Sequence, residues 1–298
     1  MQRKGIILAG GSGTRLYPAT LGISKQMIPV YDKPMIYYAL STLMLAHIKD
    51  ILIISSGRDL GLFSDLLGSG DNFGIKLSYK LQEKPEGIAQ ALIIAEEFLA
   101  GAPCALILGD NIFYGPDFPN KLSEANSQTK GATIFTYDVT NPERYGVVSF
   151  DKNNLITHIE EKPQNPQSKK AVTGLYFYDE RVSQYAKSLV PSKRGELEIT
   201  DINKIYLKNN SLHAVELCRG YAWLDMGTHE SLNQASQFIS AIENRQGIKI
   251  SCLEEISWKN GWISDDKVKK MANKMQYSEY GKYLLDLLEL NNVHYESN

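Results

Sequence analysis

Lys4-Gly5-Ile6-Ile7-Leu8-Ala9-Gly10-Gly11-Ser12-Gly13-Thr14-Arg15 opens the chain, with Lys25 soon after it. An apolar run of strand length ends in a cluster of glycines, the residue that lets backbone turn through positive φ and approach a ligand closely. The stretch reads as a strand feeding a loop of phosphate size. Successive N–H groups in such a turn converge on one concavity and favour an anion, and Arg15 and Lys25 would bring full positive charge to it. The expected guest is a polyphosphate. Two familiar phosphate loops do not fit. A Walker A loop needs Gly-Lys-Ser/Thr downstream of Gly10 and Gly11, and a dinucleotide fingerprint begun at Gly11-Ser12-Gly13 would end on Leu16 in place of glycine or alanine.

Outward from this loop the chain alternates strands and helices. Pro34 suits the first turn of a helix on which Ile36, Leu40 and Leu43 recur at helical spacing, and Ile51-Leu52-Ile53-Ile54 follows as a fully buried strand. Strand, helix, strand is a βαβ unit, and apolar runs without alternation point to a parallel sheet covered on both faces. Ile75 to Tyr79 reads as another strand, leading to Gln82-Glu83-Lys84-Pro85-Glu86-Gly87, and a single helix is expected from Ile88 to about Leu99. Cys104 to Leu108 is the next buried strand and ends in Gly109-Asp110-Asn111. Ligands of open α/β sheets sit outside the carboxyl ends of the strands, so these ends converge on one crevice. Beyond Asp117 the pattern becomes richer in β structure, with a hairpin expected at Asn153-Asn154 and further strands at Ala171–Tyr178 and Leu212–Leu217. Tyr221 to Leu224 is apolar and runs into Asp225, and Thr228 is placed as the N-cap of a long helix carrying Leu232, Ala235, Ile239 and Ile242. The last ~50 residues read as a helical extension packed on the body.

With 298 residues, 43% hydrophobic and 22% charged, the composition is that of an ordinary globular protein. A chain this long buries roughly 75% of its unfolded surface without staples. A formal net charge of -2 argues against nucleic acid or an anionic membrane as the main partner. Cys104, Cys218 and Cys252 are odd in number and widely spaced, so neither a disulfide framework nor a zinc site is suggested. With no signal sequence or membrane-length apolar run, a soluble, cytoplasmic protein is expected.

Asp110 and Asp225 each follow an apolar stretch, which would bring both to the lip of the same crevice. Two carboxylates facing a triphosphate repel it, by on the order of 4 kcal/mol for each unit pair about 4 Å apart at an effective dielectric near 20. A divalent cation between them removes the conflict, and Mg²⁺ is the hard ion that takes one or two carboxylates together with phosphate oxygens. Either aspartate taken singly could instead cap the helix that follows it.

Gly-Gly-x-Gly-Thr-Arg-Leu followed by Pro18 and Lys25 resembles the signature of the nucleoside-diphosphate-sugar pyrophosphorylases, the sugar-1-phosphate nucleotidylyltransferases. Gly22-Ile23-Ser24-Lys25-Gln26, Glu143-Arg144-Tyr145-Gly146-Val147-Val148, Glu160-Glu161-Lys162-Pro163, Val172 to Tyr178 and Arg194 to Asp201 extend the likeness over nearly the whole chain, in the bacterial thymidylyltransferase branch. The resemblance implies a Rossmann-like three-layer α/β/α fold with a central, mostly parallel mixed sheet. It also implies a catalytic unit over residues 1–245, with a nucleotide half (1–116) and a sugar-phosphate half (117–245), and a C-terminal extension over 246–298 for oligomerisation and regulation. The implied reaction is attack of glucose 1-phosphate on the α-phosphorus of dTTP, giving dTDP-glucose and pyrophosphate, as a first step toward dTDP-L-rhamnose and related deoxysugars.

By the same resemblance, Arg15, Lys25, Asp110, Lys162 and Asp225 are the catalytic set, and Asp110 and Asp225 hold Mg²⁺. Gly10, Gly11, Gly13 and Thr14 hold the nucleotide, and Gln82 and the backbone of Gly87 read the thymine edge; Gln82 alone would also pass for an ordinary loop residue. Gly146, Glu161, Lys162 and Val172 hold glucose 1-phosphate, with Leu8, Gln26, Pro85, Gly109, Tyr145 and Trp223 completing the substrate contacts. Tyr114, Gly115, Arg219, Ser251, Glu255 and Ile256 are implied regulatory residues for a dTDP-sugar end product such as dTDP-rhamnose, in a homotetramer; plain core packing is the alternative there. One departure is Met226, where the family usually has threonine after the metal aspartate. Rival readings are the same fold with another base or sugar, a catalytically dead nucleotide-sugar-binding paralogue, and a Rossmann dehydrogenase. The joint presence of the five catalytic residues weighs against the dead paralogue.

Overall fold

The computed structural model describes residues 1–11 and 13–295, with 291–295 described by backbone alone. β1 (Lys4–Leu8) enters the glycine loop; β2 (Pro29–Val30) and β3 (Lys33–Pro34) form a short ribbon before α1 (Ile36–Leu45), β4 (Asp50–Ser55), α2 (Gly57–Leu67) and β5 (Lys76–Leu81). Next come α3 (Gln90–Ile94), α4 (Glu96–Leu99), β6 (Cys104–Leu108), β7 (Asn111–Tyr114), α5 (Phe118–Ser127) and β8 (Ala132–Asp138). β9 (Gly146–Phe150), β10 (Ile156–Glu161), β11 (Lys170–Tyr178), α6 (Val182–Lys187), α7 (Ile199–Lys208), β12 (Leu212–Leu217) and β13 (Ala222–Asp225) follow. The long α8 (His229–Gln246) leads to α9 (Leu253–Lys259), α10 (Asp265–Lys274) and α11 (Glu279–Tyr295).

One nine-stranded sheet runs β10-β9-β11-β6-β1-β4-β5, with β8 pairing β11 and β12. The strands β6-β1-β4-β5 are parallel throughout, β11 lies antiparallel to β6, β8 and β9, β9 pairs β10 antiparallel, and β12 returns parallel to β8, so the sheet is mixed. Alternation in the central strands sorts the core into two layers. Ile7, Ile53 and Ile107 pack with α1 and α2 residues on one face, whereas Ile6, Leu52 and Leu106 pack with α3, α6 and α7 residues on the other. The result is the three-layer α/β/α arrangement, with β8 to β12 continuous in the same sheet.

The expected helix from Ile88 to Leu99 is two short helices meeting at Ala95. Ala89 commits its N–H to Leu197 O at 3.2 Å, and the first turn closes on three-residue bonds from Ala91 to Ile88 and from Leu92 to Ala89. These tight bonds shift the helix start to Gln90. Pro34, expected in the first turn of α1, lies instead in the ribbon strand β3, and α1 begins at Ile36. Thr228 caps α8, its hydroxyl accepting from Ser231 N at 3.2 Å while Ser231 Oγ accepts from Thr228 N at 3.0 Å. The C-terminal helices meet the body through the Trp262 ring, edge-on to His47 at 6.3 Å, while Val268, Ala272 and Leu284 pack α10 and α11 on each other. Buried ion pairs pin this junction. Lys33 meets Glu243 at 3.0 Å, and Lys249 reaches Asp32 at 2.6 Å and Glu243 at 2.8 Å.

Asp179 fixes the corner where β11 turns toward α6. It is 1% exposed and accepts from Gly131 N at 2.7 Å, Tyr206 Oη at 2.7 Å and the Arg181 guanidinium at 2.5 Å. Burial pushes its pKa up, but the bonds from Arg181, Tyr206 and the backbone more than offset this, and the carboxyl titrates below its usual range. Such a depressed group contributes stability above its unfolded pKa that is lost as pH falls through its folded one. Asp179→Ala is expected to cost about 3 kcal/mol in urea unfolding at neutral pH, because the removed charge leaves several buried donors orphaned. That deficit should shrink as the pH is lowered below the carboxylate range.

Candidate active site

The registers bring the loop and the first carboxylate together. Leu8 and Leu108 stand abreast in the parallel pair β1–β6, and Gly109 N donates to Leu8 O at 2.9 Å, so Ala9-Gly10 and Gly109-Asp110 leave the sheet side by side. Gly109 has no room for a side chain, since a Cβ there would stand 3.0 Å from Gln26 Cγ and 3.2 Å from Leu8 O. Asp225 arrives differently from the sequence expectation. It ends β13, which pairs with β7 in a separate two-stranded ribbon and not in the main sheet, with Asp225 opposite Asn111. A bond from Met226 N to Asp110 O at 3.3 Å closes the two carboxylate-bearing segments on each other. Met226 itself is fully buried among Val30, Met35, Tyr38 and Ile112, so the residue that departs from the family pattern is a core side chain.

Two cavities meet at these groups. One, of about 390 Å³, is lined by Gly10, Gly11, Gly13, Thr14, Arg15, Lys25, Gln26, Pro85, Asp110 and Gly227. The other, of about 510 Å³, is lined by Arg15, Asp110, Tyr145, Gly146, Glu161, Lys162, Val172, Trp223 and Asp225. Arg15, Asp110 and Glu196 belong to both walls. Gly227 leaves room for this junction, since a Cβ there would stand 3.3 Å from both terminal nitrogens of the Arg15 guanidinium. Leu8, Gly109, Gln82 and Gly87 are not in either wall. Gln82 is 4% exposed beneath Gly10, its Nε2 donating to Gln90 Oε1 at 2.7 Å. Its Oε1 would stand 2.0 Å from a Cβ at Gly10, so glycine at that position lets the amide meet the loop backbone.

Lys25 lies on a 3₁₀ turn, 9% exposed, with Nζ 2.5 Å from Asp110 Oδ2. Among the described residues Asp225 has no ion-pair partner of this kind. Burial and the Asp110 charge raise its pKa, against the opposing pull of Lys25, Arg15 and Arg144. Two hard oxygen donors held close enough to disfavour each other's charge are the donor set a divalent cation fits. Among the described residues no group of three or more histidine, cysteine or acidic side chains is arranged to hold an ion.

On the larger cavity's wall, Glu161 accepts from Thr200 Oγ1 at 2.5 Å and lies 3.5 Å from the Arg194 guanidinium. Lys162 stands next to it with Nζ 3.8 Å away and its backbone at φ 44, held by a bond from Lys162 N to Tyr145 O at 3.0 Å. Sequence reasoning missed Ile88, Asn111, Arg144, Thr173, Gly174, Tyr176, Arg194, Glu196, Glu198 and Thr200 as wall residues. Arg144, Thr173, Gly174, Tyr176, Arg194, Glu196, Glu198 and Thr200 lie inside the strings that carry the family resemblance, and the alternation of charge along Arg194-Gly195-Glu196-Leu197-Glu198 brings Arg194 to Glu198 at 2.8 Å.

This loop is stapled to the loop bearing Gln82 and Gly87. Leu197 N donates to Glu86 O at 2.7 Å. Gly87, at φ 106, packs so closely that an added Cβ would stand 2.4 Å from Leu197 O and 2.6 Å from Leu197 N. Gly87→Ala must therefore move backbone, and a cost of about 2 kcal/mol in thermal or urea unfolding is expected from the strained φ and the displaced pairing.

Of the regulatory set, Tyr114, Gly115, Ser251, Glu255 and Ile256 line a third cavity of about 290 Å³ between β7, α5 and α9, together with Phe113, Phe118 and Lys249. Arg219 is not in its wall; the neighbouring Gly220 lies beside Pro116.

The model of the nucleotidyl transferase family matches residues 4–242. A glucose-1-phosphate thymidylyltransferase of Neisseria meningitidis is 58% identical over 96% of this chain and 99% of its own length. The enzyme of the same name from Mycobacterium tuberculosis is 51% identical over 97% of this chain and 100% of its own. A Bacillus anthracis crystal structure in complex with sucrose, of a candidate glucose-1-phosphate thymidylyltransferase, superposes with a TM-score of 0.74 at 46% identity, covering 79% of this chain and 94% of that one. A UDP-glucose pyrophosphorylase complexed with UDP-glucose superposes at 0.72 with 26% identity, covering 81% and 100%. Glycine loop, paired carboxylates and these relatives agree: the chain is an enzyme of the nucleotidyl transferase family, in the group of the glucose-1-phosphate thymidylyltransferases.

Proposed function

We propose that the chain transfers a thymidylyl group from dTTP to glucose 1-phosphate, releasing pyrophosphate and dTDP-glucose, in a reaction that depends on Mg²⁺. The observation that carries this reading is the meeting of the glycine-lined cavity and the larger one at Arg15 and Asp110, which is where an α-phosphorus between two substrates would have to lie. Gly10, Gly11, Gly13 and Thr14 cradle the triphosphate, Gln82 fixes the base through the loop it supports, and Arg15 and Lys25 neutralise the departing pyrophosphate. Lys162 aligns the phosphate of the sugar, while Glu161, preset by Thr200, accepts from sugar hydroxyls. Asp110 and Asp225 would hold the magnesium ion, which when bound would supply charge neutralisation at the transferred phosphoryl group. A phosphate monoester dianion is already a nucleophile, so positioning and electrostatics suffice and no side-chain nucleophile is needed.

The cavity lined by Tyr114, Gly115, Ser251, Glu255 and Ile256 is read as a regulatory site for a dTDP-sugar end product such as dTDP-rhamnose. Residues 246–298 are assigned to regulation and tetramer assembly, residues 1–245 to catalysis, and the whole to the cytoplasm. Among the described residues no helix is long and apolar enough to cross a membrane.

Pyrophosphate release with Mg²⁺, glucose 1-phosphate and either dTTP or UTP tests the reading. The expected result is turnover with dTTP that requires both the sugar phosphate and the metal. Faster turnover with UTP would transfer the assignment to a uridylyltransferase, and none with either would leave a binding protein.

A further inference from the structure

Asn111 follows Asp110 directly, is 2% exposed, and touches three separate elements with one amide. Its Oδ1 accepts from the indole Nε1 of Trp223 at 2.6 Å and from Gly174 N at 3.1 Å. Both partners are donors only, so the oxygen and nitrogen of this amide cannot be exchanged without losing both bonds. The orientation they impose aims Nδ2 at Asp110 Oδ1, 2.9 Å away. The other carboxylate oxygen, Oδ2, faces Lys25 Nζ at 2.5 Å. Asp110 thus carries a neutral donor on one oxygen and an exchangeable cation on the other.

The surroundings are shaped to seat this amide. Strand β11 loses its regular register with β8 between Val172 and Tyr176, and Gly174 sits in that interval. A Cβ at Gly174 would stand 2.6 Å from Asn111 Oδ1 and 2.8 Å from its Cγ, so only glycine admits it. Trp223 lies two residues before Asp225 on β13, whose Asp225 is in register with Asn111 itself. One side chain therefore links the segment bearing Asp110, the ribbon bearing Asp225 and the sugar-side strand.

We infer that Asn111 is a positioning residue for cation binding: its amide fixes the rotation of the Asp110 carboxylate so that Oδ2 points to the shared cation. Ligating carboxylates are commonly oriented by a hydrogen bond on their second oxygen, and removal of such a partner typically weakens metal binding 10- to 100-fold. The inference rests on the two-carboxylate metal reading above.

Its test is Mn²⁺ binding followed by electron paramagnetic resonance on the full chain with dTTP present. Asn111→Ala is expected to weaken Mn²⁺ by about 10-fold. Gly174→Ala, which unseats the amide without deleting it, should act in the same direction and decides the matter if Asn111→Ala does not fold. In the unaltered chain labelled with ¹⁵N-asparagine, a side-chain amide signal should broaden strongly on adding Mn²⁺ and dTTP. Asp225→Asn tests the underlying reading separately: Mn²⁺ affinity unchanged in that variant would remove the metal site itself. Loss of affinity in Asp225→Asn, with wild-type affinity in folded Asn111→Ala or Gly174→Ala, would overturn the role of Asn111 alone, as would the absence of any broadened amide.

Discussion

Asp225→Asn is expected to lower kcat on the order of 10³-fold while the fold becomes, if anything, slightly more stable. Loss of a group aimed at charge developing in a transition state typically costs about 10²- to 10³-fold, and a metal ligand belongs at the upper end. The amide is isosteric with the carboxylate, so packing against Asn111 and Tyr145 is preserved. The direction of the stability change follows from the raised pKa. Burial and the neighbouring Asp110 disfavour the ionised form, so at neutral pH the folded chain holds a charge it would rather neutralise. A carboxyl whose folded pKa lies above its unfolded one detracts from stability at high pH, and that loss is recovered as pH falls through the folded value. Asparagine removes the unfavourable charge at every pH. Pyrophosphate release and the thermal unfolding midpoint, measured on the same sample, should move in opposite directions; turnover within 10-fold of the unmodified chain would exclude a metal-holding role for Asp225.

What can be read from the sequence, and what cannot, divides along a physical line. The strand ends at Leu8 and Leu108 are legible because a parallel strand buried on both faces leaves an unbroken apolar run, and its end marks the crevice. Asp225 stands out by the same signal for a partly mistaken reason. Tyr221 to Leu224 is apolar because Trp223 and its neighbours pack against β7, not because the segment belongs to the main sheet. The error is harmless to the site, since β7 itself begins one residue after Asp110. Arg144, Arg194 and Thr200 escape notice because their relation to Glu161 and Asp225 is fixed by the β9–β10 hairpin and by the start of α7, elements whose spacing carries no periodicity linking them. The single helix expected from Ile88 instead begins at Gln90, after a first turn closed on three-residue bonds, and is divided at Ala95, an interruption that the run of alanine and isoleucine there does not announce.

Lys25→Gln is expected to produce two effects of opposite sign. Turnover should fall by about 10²- to 10³-fold, since a cation aimed at the departing pyrophosphate is lost. Binding of Mn²⁺ to the chain without nucleotide should instead tighten. The ammonium is held by its surroundings, on a turn whose next residue, Gln26, is fixed by Ser24 Oγ at 2.8 Å, and it occupies Asp110 Oδ2 at 2.5 Å. Any ion approaching that oxygen must displace it, against a unit charge pair worth on the order of 4 kcal/mol at an effective dielectric near 20. Glutamine removes both the competitor and its positive charge, leaving Asp110 and Asp225 facing each other with their repulsion less compensated. A triphosphate entering the glycine loop does the same in the unmodified chain by offering Lys25 other oxygens, so metal affinity there should rise when dTTP is added. In Lys25→Gln the gain from dTTP should be smaller, because the displacement it would cause has already been made. Electron paramagnetic resonance titration of Mn²⁺ with and without dTTP separates the cases: weaker metal binding in the variant without nucleotide would mean that Lys25 supports the cation site instead of competing for it.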